Sequence, residues 1–236
     1  MCSTLAIAAL QGSADQPTAI SSQRQGDMRD ARRGPRPVAK EREAALEDNL
    51  IYRLEILYQD MDAAYHAAAR EGSFSCQGCD GAACCTVDLA IHTYAEMAYL
   101  RLGFHELPRA IKTEMGERAR LTVLAKDCAP LGDEYRSAVC AANVEGQCVL
   151  YRHRPMICRL AGIPYTATRP DNTIIRGPGC KRFEQEVAAT QPRLVLDRSP
   201  FYRRMSEIEL DAASSRRCRT PRQTIAEIIY RAAQGF

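Results

Sequence analysis

The sequence contains no tryptophan, and aromatic residues make up only 6% of its 236 residues. A broad aromatic surface on which nucleic-acid bases stack is therefore not expected. There is also no run of about 20 apolar residues, the length that a helix needs to cross a bilayer, so we expect no membrane partner. The Ser–His–Asp spacing, the phosphate-binding glycine loop and the HExxH motif are missing as well.

Net positive charge is confined to the first 40 residues. The chain carries a net charge of +3, and residues 1–40 contain six basic and three acidic side chains. Subtracting these from the totals of 32 and 29 leaves 26 of each sign for residues 41–236. Because this larger part is neutral, it provides no extended positive field for DNA or RNA, and we expect no nucleic-acid partner.

Residues 1–40 lack apolar periodicity and are rich in Gln, Ser, Gly, Pro and Arg. Such a segment buries too little surface to offset its chain entropy, so we expect a flexible basic tail before one domain over residues 41–236. Met28 is an alternative start to Met1. The first ten residues, MCSTLAIAAL, have no basic residue before the apolar stretch and no cleavage site. A secretory signal is therefore not expected, and the predicted location is the cytoplasm.

The eleven cysteines are consequently predicted to lie in a reducing compartment. Glutathione and thioredoxin keep cytoplasmic thiols reduced. Clustered cysteines then favour metal ligation or catalysis, and a disulfide scaffold is the less favoured alternative.

Apolar residues at steps of three and four predict a long amphipathic helix from about Glu41 to Gly72. Its predicted buried face comprises Leu46, Leu50, Leu54, Leu57, Met61, Ala64, Tyr65 and Ala68. Further helices are predicted from Thr93 to Gly103, from Leu107 to Lys126 and over KRFEQEVAAT. Ser199 and Thr220 each precede a proline, which is typical of an N-cap and the first helical residue, and they indicate two final helices.

Glycine and proline interrupt the sequence ten times between residues 128 and 180. This density predicts loops and turns. A loop-rich stretch of such length is uncommon unless something other than a hydrophobic core orders it. The predicted fold is therefore mainly α: a small helical domain with a long loop-rich cysteine segment organised around a metal centre.

Four cysteines occur within ten residues in the stretch FSCQGCDGAACC. They are Cys76, Cys79, Cys84 and Cys85, in the pattern C-x2-C-x4-C-C. The C-x2-C spacing lets both sulfurs reach one metal ion, and glycines in the gaps allow the backbone to wrap closely around it. Successive side chains diverge, so Cys84 and Cys85 either serve two neighbouring metal ions, or one ligates while the other packs.

Four further cysteines are dispersed through the loop-rich middle: Cys140, Cys148, Cys158 and Cys180. Eight thiolates divide into two tetrahedral sites, or into one tetrahedral site and a cluster. The remaining Cys2, Cys128 and Cys218 are interpreted as small buried apolar side chains.

The segment CAANVEGQCVLYRHRPMICR, residues 140–159, together with CQGCDGAACC, resembles the YkgJ-like cysteine-cluster family, a zinc- or iron-chelating domain. The family's C-x-x-Y-x-x-R-P-x-x-C-R segment is matched by Cys148, Tyr151, Arg154, Pro155, Cys158 and Arg159. Cys140 and Cys180 match the cysteines before and after it. The resemblance covers about residues 76–183, with a slightly longer gap between Cys79 and Cys84 than the family pattern has. It also implies kinship with flagellin lysine N-methylase, although the sequence lacks a glycine-rich S-adenosylmethionine loop and the CxxxCxxC run of radical enzymes.

A metal ion or cluster held by thiolates carries net negative charge, which needs nearby donors and cations. Arg154 and Arg159 flank Cys158 and are the expected cations. Pro155 is expected to fix the turn that delivers Cys158, and Tyr151 either donates its hydroxyl to a sulfur or covers the site.

Two polar residues near this motif are given ordinary roles. His153 is interpreted as an exposed loop histidine, with a spare-ligand role as the alternative. Glu96 is interpreted as a surface residue of its helix, with a general-base role as the alternative.

The favoured hypothesis is a metal-binding protein whose eight clustered cysteines hold an iron–sulfur cluster or zinc. Thiolate suits both metals, and iron is favoured because vicinal and surplus cysteines suggest more than one tetrahedral ion. The alternative is a protein-modifying or redox enzyme related to flagellin lysine N-methylase. The sequence assigns neither catalytic residues nor a protein partner.

Overall fold

The computed structural model describes residues 39–76, 85, 90–128, 139–215 and 221–235. The predicted tail lies outside these ranges except for its last two residues. The described residues form seven α-helices, one 3-10 turn and five short strands, so the fold is mainly α. In this part of the chain, no helix combines the length and apolarity needed to span a bilayer.

Helix α1, Ala39–Glu71, confirms the first predicted helix. Leu54, Leu57 and Met61 are fully buried along its predicted face. Leu46 was assigned to the same face, yet it is exposed, so the buried stripe begins at Leu50. The helix ends at Glu71, and the N–H of the next residue, Gly72, donates to the carbonyl of Ala68.

Helices α2, Tyr94–Glu106, and α3, Arg109–Cys128, confirm the next two predictions. Thr93 is the N-cap of α2 and forms a capping box with Glu96. This reciprocal pair satisfies backbone donors that the first turn of a helix leaves unpaired. The helix continues past Gly103, the predicted stop, because an isolated glycine is tolerated inside a packed helix.

Helix α2 lies between two hydrophobic clusters. Ala95 and Tyr99 belong to a cluster with α1 and the C-terminal part of the chain, whereas Leu100 and Phe104 belong to a second cluster with α3 and the last helix. Helix α2 therefore contributes side chains to both clusters.

The middle contains more regular structure than the glycine and proline content predicted. Strands β1, Asn143–Val144, and β2, Gln147–Cys148, form a hairpin. Its two turn residues, Glu145 and Gly146, both have positive φ, which is the requirement of the tight hairpin turn that matches strand twist. A 3-10 turn, Tyr151–His153, then leads into the short helix α4, Met156–Arg159.

A small sheet follows the short helix. Strands β3, Tyr165–Thr168, and β4, Ile174–Gly177, pair antiparallel, and β3 also pairs in parallel with β5, Leu196–Asp197. Helix α5, Lys181–Glu186, lies between β4 and β5 in the chain. It covers only the first part of the helix predicted over KRFEQEVAAT.

Two helices complete the described chain. Helix α6, Ser199–Ser215, begins at the predicted Ser199 and packs against α1. Helix α7, Ile225–Ala233, packs against α3. Its N-cap is Thr224, paired with Glu227 in a capping box, so the cap predicted at Thr220 is wrong. Both threonines fit a cap, but only Thr224 has a glutamate three residues later.

The contact between Gly103 and His153 predicts a stability change of unusual sign. A Cβ atom added at Gly103 would lie 2.3 Å from Cγ of His153. Alanine normally stabilises a helix relative to glycine by about 1 kcal/mol. Here we expect Gly103→Ala to destabilise the protein by about 1–3 kcal/mol in urea unfolding, because the side chains must shift apart. In a His153→Gly background, which also removes the Cβ that would lie 2.7 Å away, the same change should be neutral or stabilising. An equal loss in both backgrounds would rule this contact out as the cause.

Candidate metal centre

Cys76 lies just beyond the end of α1 and contacts that helix. Its sulfur is 3.1 Å from the hydroxyl oxygen of Tyr65. Burial raises the pKa of the Tyr65 hydroxyl, and the hydrogen bond to Cys76 and the charges of Cys76 and Cys180 raise it further. The hydroxyl therefore stays protonated and is able to donate to a sulfur. Two cysteines separated by more than a hundred residues are both within electrostatic reach of this one tyrosine.

Cys180 is held in place by the backbone around it. It is the N-cap of α5, and its sulfur accepts a hydrogen bond from the N–H of Phe183 at 3.4 Å. Its own N–H donates to the carbonyl of Gly162. Gly162 has a φ of +109°, and an added Cβ would lie 3.0 Å from the Tyr65 hydroxyl. Glycine is thus required here both by the backbone conformation and by the approach to Tyr65.

Cys85 and Cys140 join the two cysteine groups through the backbone. The N–H of Cys140 donates to the carbonyl of Cys85 at 2.7 Å. The carbonyl of Cys140 accepts from the N–H of Asn143 and from the guanidinium of Arg118, which also reaches the carbonyl of Asn143. Helix α3 therefore anchors the segment that carries Cys140.

Cys148 and Cys158 lie close to each other and to Cys85. Burial raises the pKa of the Cys158 thiol to about 12, and the charges of Cys148 and Cys85 contribute to this rise. Burial also raises the pKa of the Cys148 thiol, again with a contribution from Cys85. Mutual repulsion of this kind requires the three sulfurs to share one region. The protein alone keeps the thiols of Cys148 and Cys158 protonated, so a positive ion is needed to form their thiolates near neutral pH.

Pro155 and Glu96 position the short helix that carries Cys158. Pro155 is the N-cap residue of α4, and its carbonyl accepts hydrogen bonds from the N–H groups of Cys158 and Arg159. Glu96 accepts from the N–H of Met156 at 2.9 Å. Glu96 is buried, so its interpretation as a helix-surface residue is wrong. Its carboxylate connects the start of α2 to the start of α4.

Because Glu96 connects two helices, we expect its substitution to lower the free energy of unfolding more than the same substitution of Glu227, the capping-box glutamate of α7. Burial would raise the pKa of Glu96, but hydrogen bonds from His92, Thr93 and Met156 outweigh it and lower the pKa. We expect Glu96→Gln to cost about 2 kcal/mol at pH 7, because an amide nitrogen would face N–H donors. The contribution is present above the ordinary glutamate pKa and is lost as the pH falls through the lowered one.

Glu227 provides the matched control for that substitution. It occupies the same capping-box position in α7, but its other partner is the partly exposed amine of Lys126. We expect Glu227→Gln to cost about 1 kcal/mol or less. Equal losses for the two variants in chemical unfolding would contradict the bridging role of Glu96.

Arg154 is the cation whose charge acts on the pKa values of the thiols. Its charge lowers the pKa of Cys148, Cys158 and the Tyr65 hydroxyl, against the larger effect of burial. Its guanidinium lies 3.7 Å above the ring of Tyr151. Its Nε is buried and has no hydrogen-bond partner among the described residues. This donor fits a centre that accumulates negative charge beside it.

Tyr151 does not reach a sulfur through any contact that the structure describes. Its side chain is exposed, and its ring covers the guanidinium of Arg154. Of the two predicted roles, covering the site through Arg154 is the one compatible with this position.

Arg159 has a different environment from Arg154. Its guanidinium donates to Asp62 at 2.6 Å and to the carbonyls of Arg152 and Arg154, and it stacks on the ring of Tyr58. None of these described contacts involves a sulfur. Arg159 therefore holds the turn that presents Arg154 and Cys158, and it does not face the thiols directly.

One face of α1 supplies three residues that the sequence did not assign to the site. Tyr58, Asp62 and Tyr65 are spaced by four and three residues and so lie on the same face. Asp62 pairs with Arg159 and lies 3.6 Å from Arg154. The available signal was an aspartate and two tyrosine hydroxyls on the otherwise apolar face of a helix, since buried polar groups need partners.

Two further sequence interpretations are corrected. His153 is buried, with its ring 4.7 Å from that of Tyr99 and its Nε2 3.7 Å from Glu106. It is therefore a packing residue, not an exposed loop histidine. Cys128 is exposed at the end of α3 and not buried as expected, whereas Cys2 and Cys218 lie outside the described residues.

The predicted ligand set is only partly described. Cys79 and Cys84 lie outside the described residues. Within those residues, no group of three or more Cys, His, Asp or Glu side chains is arranged to hold a metal ion. The described geometry consists instead of two thiol neighbourhoods, defined here as the Cys76–Cys180 pair at Tyr65 and the Cys85–Cys148–Cys158 group, with Arg154 acting on both.

The donor chemistry of these neighbourhoods fits a thiophilic metal. All seven described cysteines are thiols, and a cation with an unused donor lies beside them.

No family model matches the chain, and comparisons with curated proteins and with solved structures also return no match.

Proposed function

We propose that this chain is a metal-binding cysteine-cluster protein whose cysteines hold iron, as an iron–sulfur cluster, or zinc, with iron favoured. The ligands are Cys76, Cys79, Cys84, Cys85, Cys140, Cys148, Cys158 and Cys180. The observation that carries the proposal is the electrostatic proximity of Cys85, Cys148 and Cys158, although Cys85 comes far before the other two in the sequence. The charge of Cys85 raises the pKa of Cys148, and the charges of Cys148 and Cys85 raise the pKa of Cys158. Three partly buried thiols in one region repel as they ionise, which is unfavourable unless a metal ion is bound.

The surrounding residues have defined roles in this proposal. Arg154 offsets the negative charge of the thiolates, and the Tyr65 hydroxyl donates to the sulfur of Cys76. When bound, the metal supplies cross-links between the end of α1 and the loop-rich middle. Membership of the YkgJ-like family is part of the proposal and is supported by the motif over residues 140–159.

An enzymatic function related to flagellin lysine N-methylase stays the alternative prediction from the sequence. A brown colour that bleaches on reduction or in air favours redox chemistry. Colourless protein with stoichiometric zinc favours a structural role.

Cysteine substitutions test the ligand assignment. We expect Cys148→Ser and Cys158→Ser each to lose at least about half of the bound metal, since hydroxyl is a poor substitute for thiolate. Metal content is measured by mass spectrometry on protein purified anaerobically, with circular dichroism as the check of folding.

Cys128 is the matched control, because it is exposed at the end of α3 and outside both thiol neighbourhoods. Cys128→Ser should retain the metal content of the unsubstituted protein. If all three variants and the unsubstituted protein contain the same amount of metal, the ligand assignment is wrong.

A further inference from the structure

A polar cleft beside Arg159 is lined by none of the described cysteines. It has a volume of about 240 Å³ and is formed by α1, α2 and the 3-10 turn with the residues after it. Its lining consists of Glu55, Tyr58, Gln59, Asp62, Tyr99, Arg152 and Arg159. Ligand pockets for drug-sized molecules span roughly 300–1,000 Å³, so this cleft suits a smaller molecule.

The inner wall of the cleft contains donors that the protein does not use. A guanidinium has five N–H groups, and the described contacts of Arg159 account for three of them. The hydroxyl of Tyr58 is buried and has no hydrogen-bond partner among the described residues. Tyr58 is itself only 2% exposed, and Arg159 is 5% exposed. Unused polar groups at such depth are costly unless a ligand or water satisfies them.

The inner wall is rigid because its aromatic rings are packed against one another. The rings of Tyr58 and Tyr99 meet edge to face at 5.5 Å, and the guanidinium of Arg159 stacks on Tyr58. His153 packs on the other side of Tyr99. A ligand therefore meets a wall formed before it binds, which lowers the ordering cost of binding.

The rim of the cleft contains one carboxylate and one guanidinium that are not paired with each other. Glu55 accepts a hydrogen bond from the Tyr99 hydroxyl at 3.3 Å. Arg152 is exposed, and the described contacts include no ion pair between it and Glu55. Both charges act on the pKa values of Tyr99 and His153, so both lie near these two rings. Asp62 and Arg159 already neutralise each other, so Glu55 and Arg152 are the charges left for a ligand.

We infer that this cleft binds a small zwitterion of the α-amino-acid class. The ligand's carboxylate pairs with Arg152 and the unused N–H groups of Arg159, and its ammonium group pairs with Glu55. An anion alone would face Glu55, and a cation alone would face Arg152, so each singly charged fragment satisfies only half of the site. This inference goes beyond the proposed function and requires no metal in the cleft.

Calorimetric titration of the full chain, purified anaerobically, tests this inference. The probes are L-alanine, acetate and methylammonium, each at constant ionic strength because surface charges are screened by salt. We expect alanine to bind at least about tenfold more tightly than either fragment. Glu55→Gln and Arg152→Gln should each weaken alanine binding by about tenfold or more, since each removes one charge-assisted contact.

Glu71→Gln and Arg169→Gln are the controls, because both side chains are exposed and neither lines the cleft. They should leave alanine affinity within about twofold of the unsubstituted protein. The inference is overturned if alanine does not bind, if acetate or methylammonium binds as tightly, or if the cleft variants behave like the controls.

Discussion

Replacing Arg159 with alanine is expected to cost the fold about 3 kcal/mol or more, the largest loss we predict for a single side chain. The guanidinium is buried and makes three hydrogen bonds, to Asp62 and to the carbonyls of Arg152 and Arg154. Removing it leaves these acceptors without a donor and opens a void beside Tyr58. Urea unfolding followed by circular dichroism measures the change.

The matched control is an ion pair on the exposed side of α1. Arg204 reaches Asp60 at 2.5 Å, but the two side chains are 39% and 54% exposed. Exposed pairs contribute about 0–1 kcal/mol, so Arg204→Ala should have little effect. If Arg159→Ala lowers the free energy of unfolding no more than Arg204→Ala does, burial of the Arg159–Asp62 pair does not contribute to stability.

Removing the metal is expected to loosen the loop-rich middle far more than the helices. The elements described between residues 139 and 180 contain only two to four residues each, which is too short for stability on their own. After anaerobic chelation, amides in residues 139–180 should exchange with solvent at least about tenfold faster, while amides in α3 change little. Hydrogen–deuterium exchange followed by mass spectrometry resolves the two regions.

Two outcomes would contradict that prediction. Exchange that is unchanged everywhere would mean that the middle is ordered without a metal. Exchange that rises equally in α3 would mean that the metal stabilises the whole domain and not the cysteine segment in particular.

The sequence predicts the long helices well because their signal is local. Apolar spacing located α1, α2 and α3 to within a few residues, and α2 starts next to Thr93, where its helix was predicted to begin. Leu46 was misplaced because periodicity identifies a face of a helix but not where the rest of the protein stops covering it. Thr220 was misassigned because its proline signal was as strong locally as the true cap at Thr224.

The surroundings of the cysteines were harder to predict, because they depend on contacts between distant segments. Cysteine spacing identified a candidate ligand set, but nothing local indicated that Tyr65 would meet Cys76 or that Asp62 would hold Arg159. Glu96 and His153 were placed at the surface because each lies where a solvated side chain is common. Burial of both follows from the packing of α2 against the turn before Cys158, which no short-range pattern encodes.

The most direct test of the account is one sample of full-length protein purified anaerobically without added metal. Its visible spectrum is recorded, and iron, zinc and acid-labile sulfide are counted per chain. The account predicts stoichiometric metal per chain. Iron with sulfide, which gives a brown colour, is the favoured result, and a colourless zinc protein is the other form of the same centre. A protein that is folded by circular dichroism yet contains neither metal would contradict it.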